Sequence, residues 1–221
     1  MQKKQHKARP AGQTGFTMVE IAIVLVVIGL LLGGVLKGQE LINSAKVKNL
    51  AQDFRMVPMY IHAYQDKFRA LPGDDGRAQT HVCPAAIPGC TIDGNADGSI
   101  GGSWDDTVAA PSETVYFWQH IRFANLTSGP TDIASANFLP LNSEGGRIGI
   151  QSGGAAAPLG VSGSYVMCSA GISGKYVRQL DNTLDDGDPE AGTLRAGATT
   201  AAAVALAALD DGAVYVVCLG V

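Results

Sequence analysis

The chain has 221 residues and a formal net charge of −4, a length that suits one domain with a short accessory segment. Lys3, Lys4, Lys7 and Arg9 precede Gly15 with no acid among them, so the rest of the chain is more acidic than the whole. This acidity argues against general binding to nucleic acid, because that affinity depends on Lys and Arg neutralising phosphates. It is compatible with the binding of cations.

Residues 1–15 are polar and basic, which is typical of a leader peptide rather than of a folded segment. A secretory signal is cut behind its apolar run, whereas here the expected cut precedes the apolar run. A basic segment before an apolar helix stays in the cytoplasm and directs the following chain across the membrane. The sequence therefore predicts a cleaved leader and a translocated remainder.

Residues 16–36 form an apolar segment, and residues 21–36 carry no charge. With a helical rise of about 1.5 Å per residue, this segment spans roughly 30 Å, enough to cross a bilayer. Glu20 lies one turn inside it, where an ionised carboxylate costs about 2.5–3.5 kcal/mol even on a lenient insertion scale. We therefore expect Glu20 to have a partner. An ordinary signal anchor, whose acid reaches the lipid headgroups, is the alternative.

Glycines are frequent where the apolar segment meets the soluble part. Gly29 and Gly33 form a small-x-x-x-small pair, which lets a neighbouring helix approach closely. Gly34 and Gly38 add to the same region, and each glycine also lowers helix stability by about 1 kcal/mol relative to alanine. Close packing and local melting of the helix both stay open.

The helical pattern continues beyond the apolar segment. Large apolar residues recur in steps of three and four from Val47 to Phe68, which predicts one buried stripe. Pro58 lacks a backbone N–H, so a kink is expected there. We predict one helix from Thr17 to Phe68, with residues 37–70 containing its soluble half.

Residues 71–221 are predicted to form one globular head. Ser112 is the expected N-cap of a helix that begins near Glu113, and the alanine-rich Thr199–Leu209 segment is a second short helix candidate. Three β-like runs are expected at Arg147–Gln151, Gly163–Ser169 and Ala213–Leu219. These elements predict the α+β class, with the long helix packed on a small antiparallel sheet.

The four cysteines form no C-x-x-C pair, so the spacing of a metal finger is absent. An even number of cysteines on the translocated side of a membrane favours disulfides. Cys83 and Cys90 flank a short loop, and Cys168 and Cys218 each end a β-like run. We favour the pairs Cys83–Cys90 and Cys168–Cys218 over the two other connectivities.

The segment from Asp93 to Ser99 matches the first half of an EF-hand calcium loop, with oxygen side chains at positions 1, 3 and 5 and glycine at position 6. Position 12 holds Trp104 instead of glutamate, although two acids follow it. The predicted calcium ligands are Asp93, Asn95, Asp97, Ser99, Asp105 and Asp106. The alternative is a loop of Asx turns that needs no metal.

The remaining polar motifs do not indicate catalysis. Asp185, Asp186 and Asp188 surround Gly187, and an exposed turn is the simpler interpretation of this cluster. The sequence contains no nucleophile-elbow motif and no phosphate-loop motif. We therefore predict that the protein is not an enzyme.

The basic leader, the Gly15–Phe16 junction and the acid at Glu20 resemble the type IV pilin-like proteins, which include type IV pilins and the pseudopilins of type II secretion systems. Their motif is Gly, then Phe or Met, then Thr, two further residues and Glu. Gly15-Phe16-Thr17-Met18-Val19-Glu20 matches it at each of these positions. The strong part of the likeness covers roughly residues 10–40, and it implies the pilin-like fold.

The resemblance implies that a prepilin peptidase cuts between Gly15 and Phe16 and methylates the new amine of Phe16. It further implies that Glu20 pairs with the Phe16 amine of an adjacent subunit when the apolar helices leave the membrane as a filament core. The implied partners are copies of the chain, other pilin-like subunits and an inner-membrane assembly platform. A calcium site in the head is also known among the major pseudopilins.

The first hypothesis is therefore a structural subunit of a type IV pilus or of a type II secretion pseudopilus. Before assembly it is held in the inner membrane with its head in the periplasm. One alternative is a minor pilin at a filament tip that binds a surface or a substrate. Another is a signal-anchored periplasmic calcium-binding protein that never polymerises.

Overall fold

A computed structural model of the protein describes residues 17–83 and 93–221. Its helices are α1 (Met18–Phe68), α2 (Ala78–His81), α3 (Glu113–Phe123) and α4 (Gly174–Leu184), and its strands are β1 (Ile148–Ser152), β2 (Tyr165–Ser173), β3 (Leu194–Gly197) and β4 (Val214–Gly220). Short 3-10 turns lie at Pro158–Gly160 and Leu206–Ala208. The long N-terminal helix and the antiparallel sheet confirm the predicted α+β class.

Helix α1 is 51 residues long and continues through Pro58. Its C-terminal half buries the predicted apolar stripe, which comprises Val47, Leu50, Ala51, Phe54, Val57, Ile61 and Tyr64. Burying a large apolar side chain stabilises a fold by about 1.5–3 kcal/mol relative to leaving it exposed. Tertiary packing therefore stabilises this half of the helix more than intrinsic propensity does.

The protein consists of two compact units, of which the first ends at Ile42 and the second begins at Asn43. The described part of the first unit is the N-terminal portion of α1. The second unit contains the remainder of α1 and every other helix and strand that the structure describes. The candidate sites below lie within one unit or the other.

The sheet has four antiparallel strands in the order β1-β2-β4-β3. Its two central strands pair with Cys168 opposite Cys218, and the register shifts between Ser169 and Ile172. One face of the sheet joins α1 and α3 in the main hydrophobic core, to which Met167 belongs. Because side chains alternate along a strand, the neighbouring Val166 and Cys168 lie in a second, smaller apolar cluster.

Helix α3 begins where the sequence predicts, but the side chain of its N-cap residue does not make the expected contact. Ser112 is the N-cap residue, as predicted, yet its side chain makes no capping hydrogen bond. Its hydroxyl lies 2.8 Å from the hydroxyl of Thr114 instead. Phe117 and Trp118 of this helix are buried in the main core.

Two parts of the head differ from the sequence prediction. The Thr199–Leu209 segment is not a helix apart from the 3-10 turn at Leu206–Ala208, so that prediction was wrong. Most of its side chains are exposed, and a short helix without a buried face is marginal in water. Helix α4 and strand β3 were not predicted, although α4 buries Tyr176, Val177 and Leu180.

Candidate functional site

The N-terminal end of α1 is capped by reciprocal hydrogen bonds between Thr17 and Glu20. The backbone N–H and the hydroxyl of Thr17 both donate to Glu20 Oε2 at 3.1 Å, and the Glu20 N–H donates to Thr17 Oγ1 at 3.2 Å. This arrangement is a capping box, which satisfies backbone donors that lack a partner at a helix start. Both side chains are exposed. The predicted cleavage junction, Gly15–Phe16, lies outside the described residues.

The apolar segment that follows Glu20 is uncovered within its own unit. Ile23 is 58% exposed and Leu30 is 73% exposed. An 18-residue window of α1 has a mean hydropathy of 2.8 with none of it buried, so the helix is long and apolar enough to cross a membrane. Soluble monomers rarely expose an apolar patch of more than roughly a few hundred Å². We therefore expect lipid or another protein to cover this surface.

The glycines of this segment have no neighbours that would require a small residue. A Cβ atom added at Gly29 or Gly33 would have no other atom within 4 Å, and the same holds at Gly34 and Gly38. No contact among the described residues therefore explains why glycine occupies these positions. The close approach of a second helix and local loosening of the helix both remain as predicted roles.

In the head, two buried carboxylates organise the loop that was predicted to bind calcium. Asp74 accepts the backbone N–H groups of Asp97 at 3.0 Å and of Gly98 at 2.8 Å. Glu113, at the first turn of α3, accepts those of Asn95 at 2.9 Å and of Gly101 at 2.7 Å. Charge-assisted hydrogen bonds of this kind are about twice as strong as neutral ones. The two acids therefore hold the loop against the rest of the head.

Gly94 permits this close packing. A Cβ atom at this position would lie 2.4 Å from the Cα atom of Asp74, a distance that no side chain can occupy. The backbone of the loop thus passes directly over Asp74. A larger residue at this position would separate the loop from the carboxylate that holds it.

Only one of the six predicted calcium ligands belongs to a compact group of carboxylates in the described part of the chain. One oxygen each from Asp74, Asp97 and Glu113 lie within 4.8 Å of one another. Asp74 and Glu113 were not among the predicted ligands. Sequence patterns did not reveal them because they come from two segments on either side of the loop, one after α1 and one at the start of α3.

The other predicted ligands make local contacts. Asp93 Oδ1 accepts the N–H of Gln79 at 2.9 Å, and Asn95 Oδ1 accepts that of Asp97 at 2.8 Å. Ser99 donates its N–H to Asp97 Oδ1 at 2.9 Å. The bonds of Asn95 and Asp97 are those of Asx turns, which the sequence had left as the alternative.

The last two predicted ligands lie beside a different group. Asp105 accepts a hydrogen bond from the hydroxyl of Ser103, and Asp106 Oδ2 accepts the N–H of Ser103 at 3.0 Å. Their backbone carbonyls accept hydrogen bonds from the Arg147 guanidinium. Burial lowers the pKa of Arg147, while both neighbouring acids act in the opposite direction. Neither acid joins the group around Asp97.

Asp75 links the end of α1 to α2. Its Oδ2 atom accepts a hydrogen bond from the Tyr64 hydroxyl at 2.8 Å and lies 2.6 Å from His81 Nδ1, while Oδ1 accepts the Arg77 N–H at 2.9 Å. Burial by itself would raise the pKa of Asp75, but the hydrogen bonds from His81, Tyr64 and Arg77 together lower it. Burial and the contact with Asp75 raise the pKa of Tyr64. This network fixes the chain where the long helix ends.

The predicted pairing of Cys168 with Cys218 is confirmed. The two residues form a disulfide between the central strands, with their Cα atoms 4.1 Å apart. The other predicted pair is Cys83–Cys90, of which Cys90 lies outside the described residues, so that pair stays a prediction.

The second acidic cluster is only partly the exposed turn that the sequence suggested. Asp186 and Asp188 are exposed and Asp185 is half-buried. Asp181, near the end of α4, is fully buried, and its Oδ1 atom accepts the N–H of Gly187 from this turn at 2.9 Å.

Comparison with known families yields one match, to the prokaryotic N-terminal methylation motif over residues 10–36. No curated protein and no solved structure matches the chain. The matched range contains the Gly15–Phe16 junction, the capping acid Glu20 and the exposed apolar segment with Gly29 and Gly33. The chain thus carries at its N-terminus the methylation motif that is the hallmark of the type IV pilin and pseudopilin precursors, and it continues as a long helix and an α+β head.

Proposed function

We propose that the protein is a structural subunit of a type IV pilus-like or type II secretion pseudopilus filament rather than an enzyme. The observation that supports this most directly is the methylation motif at the start of an exposed apolar helix. Prepilin peptidase cuts between Gly15 and Phe16 and methylates the amine of Phe16. The chain waits in the inner membrane with its head in the periplasm until it is added to the filament.

Glu20 gives the helix start a carboxylate whose position is already fixed. Thr17 holds Oε2 through two hydrogen bonds, so little side-chain freedom remains to be lost when a partner arrives. A carboxylate within lipid costs about 2.5–3.5 kcal/mol, and an ammonium group nearby compensates that cost. In the proposed assembly, this ammonium is the Phe16 amine of an adjacent subunit.

The charge and the capping role of Glu20 can be separated by mutation. Glu20→Gln keeps an oxygen that can accept the Thr17 hydrogen bonds, since glutamine also serves in a capping box, but it removes the charge. Thr17→Val keeps the charge and removes the hydroxyl. Glu40→Gln is a control, because Glu40 is an exposed acid of the same helix, 2.7 Å from Lys37.

The proposal predicts that Glu20→Gln strongly reduces incorporation into filaments, whereas Thr17→Val and Glu40→Gln incorporate nearly as wild type. Incorporation is measured by blotting sheared filaments against whole-cell protein. Normal incorporation of Glu20→Gln would contradict the pairing of Glu20 with an ammonium group. Absence of the wild-type chain from every filament fraction would instead support a signal-anchored protein that never polymerises.

The processing step has its own test. Gly15→Ala should leave the leader attached, while Gly12→Ala, a glycine within the leader, should be processed normally. Intact-mass spectrometry distinguishes the precursor from a chain that begins at methylated Phe16. Normal mature mass in the Gly15→Ala variant would contradict the assigned cleavage site.

The head is also proposed to bind calcium at the loop that contains Asp97. Three carboxylates converge there, and calcium prefers oxygen ligands. Because Asp74 and Glu113 already accept backbone hydrogen bonds, an ion would use their remaining lone pairs. In calorimetric titration with CaCl₂, Asp97→Asn should weaken this binding, and Asp105→Asn should not. An equal loss in both variants would favour the six ligands predicted from the sequence over the three carboxylates.

A further inference from the structure

Asp181 of α4 carries a buried oxygen that no group in the described part of the chain satisfies. The residue is 0% exposed, and its Oδ1 atom accepts the N–H of Gly187 at 2.9 Å. Its Oδ2 atom is enclosed and has no hydrogen-bond partner among the described residues. A buried polar atom without a partner is costly, and a ligand bound at this oxygen would remove that cost.

Two further acids lie close to the carboxyl group of Asp181. One oxygen each from Asp181, Asp185 and Asp186 lie within 4.8 Å of one another. Two ligands on opposite sides of a calcium ion, each at about 2.4 Å, are separated by about 4.8 Å, and those across magnesium by about 4.2 Å. The spacing of the three oxygens is therefore compatible with one shared cation.

The backbone fixes this arrangement on two sides. Asp185 Oδ2 accepts the N–H groups of Thr193 at 2.5 Å and of Leu194 at 2.7 Å, which ties the turn to the start of β3. Gly192 has a φ of +67°, and a Cβ atom there would lie 2.1 Å from the same oxygen. The Asp185 carboxylate is thus held between α4 and β3, and the lack of a side chain at Gly192 leaves room for it.

The charges around Asp181 are unfavourable for an ionised carboxylate. Asp185, Asp186 and Asp188 place like charges near the buried Asp181 carboxyl group, to which Gly187 donates one hydrogen bond. None of the ion pairs found in residues 17–83 and 93–221 includes these acids. A bound cation would supply the missing positive charge.

We infer that Asp181, Asp185 and Asp186 bind a divalent cation that prefers oxygen ligands, of the calcium or magnesium type. The buried Asp181 oxygen is the central ligand, the half-buried Asp185 is positioned by β3, and the exposed Asp186 closes the site from the solvent side. The ion joins the C-terminal end of α4 to the chain that enters β3. This site is separate from the carboxylates around Asp97 and does not depend on filament assembly.

The test uses the full chain in detergent, stripped with a chelator and carrying Asp97→Asn, which weakens the first proposed site. CaCl₂ and MgCl₂ are titrated separately by calorimetry at pH 7, and melting of the head is followed with each ion. Asp186→Asn removes an exposed ligand with little risk to folding. Asp188→Asn is the matched control, because it is an exposed acid of the same turn outside the group of three.

We expect at least one ion to bind the parent chain and raise its melting temperature, because a ligand of the folded state stabilises that state. Asp186→Asn should weaken binding by about tenfold or more, since the number of charged ligands sets the affinity of such sites. Asp188→Asn should change it little. The inference is overturned if neither ion binds the parent, or if Asp186→Asn and Asp188→Asn bind as tightly as the parent.

Discussion

The two halves of α1 have similar side chains in opposite environments. Ile28 in the first unit is 46% exposed, whereas Ile61 in the second is 2% exposed. Ile61 belongs to the same buried apolar cluster as residues of α3 and the sheet, while the apolar segment around Ile28 has no such cover within its unit. The second half of the helix therefore forms part of the core of the head, whereas the first half presents an apolar surface that lipid or other chains can cover.

The largest effect on the head should come from its buried stripe. Ile61→Ala leaves a cavity, so we expect it to lower the free energy of unfolding by about 2–5 kcal/mol. Ile28→Ala should leave that value unchanged. Thermal and denaturant unfolding of the full chain in detergent, followed by near-ultraviolet circular dichroism, measures both. Equal losses in the two variants would contradict the division of α1.

The disulfide should stabilise only the head. Replacing both Cys168 and Cys218 by alanine removes a crosslink between residues separated by 50 positions, and we expect a loss of about 2–4 kcal/mol. The same unfolding measurement gives this value. Membrane insertion of the double variant, measured by fractionation, should be unaffected. An unchanged melting temperature would show that pairing of the central strands does not depend on this crosslink.

The loop around Asp97 should depend on the buried acid that holds it. Each oxygen of Asp74 accepts one backbone N–H group. Asp74→Asn replaces one of these oxygens by an NH₂ group, which cannot accept a hydrogen bond. One N–H group then lacks an acceptor, which costs about 1–3 kcal/mol. Asp66→Asn, at an exposed position of α1, is the control and should cost little. Hydrogen exchange of the Asp97 and Gly98 amides reports the local effect. Unchanged protection of both amides would contradict the assigned contacts.

The smallest expected effect concerns pH. Burial raises the pKa of Asp53 from 3.8 to about 6, so the folded state keeps a proton that the unfolded chain has lost between these values. The stability associated with this proton is present below about pH 4 and is lost as pH rises through about 6.

Asparagine does not ionise, so Asp53→Asn should stabilise the head relative to wild type at pH 7.5 more than at pH 4.5. With allowance for screening by solvent, we expect a difference of about 1 kcal/mol. Unfolding at the two pH values measures it, with Asp66→Asn as the control. The same difference at both pH values would mean that Asp53 is ionised throughout.

Local patterns predicted the features that depend on neighbours in sequence. The stripe of α1 and the acid at Glu20 follow from spacing along one helix, and the pair Cys168–Cys218 follows from two strand ends. The acids Asp74 and Glu113 were not recognised as partners of the Asp97 loop, because only the folded chain brings those segments together. Strand β3 was missed for a similar reason, since its four residues form a strand by pairing with β4.

We propose that the apolar half of α1 becomes the core of a filament after cleavage at Gly15–Phe16. Intact-mass spectrometry of this chain in purified, sheared filaments tests it most directly. We expect a filament component that begins at N-methylated Phe16. Recovery of the processed chain only from the membrane fraction, with none in filaments, would contradict it.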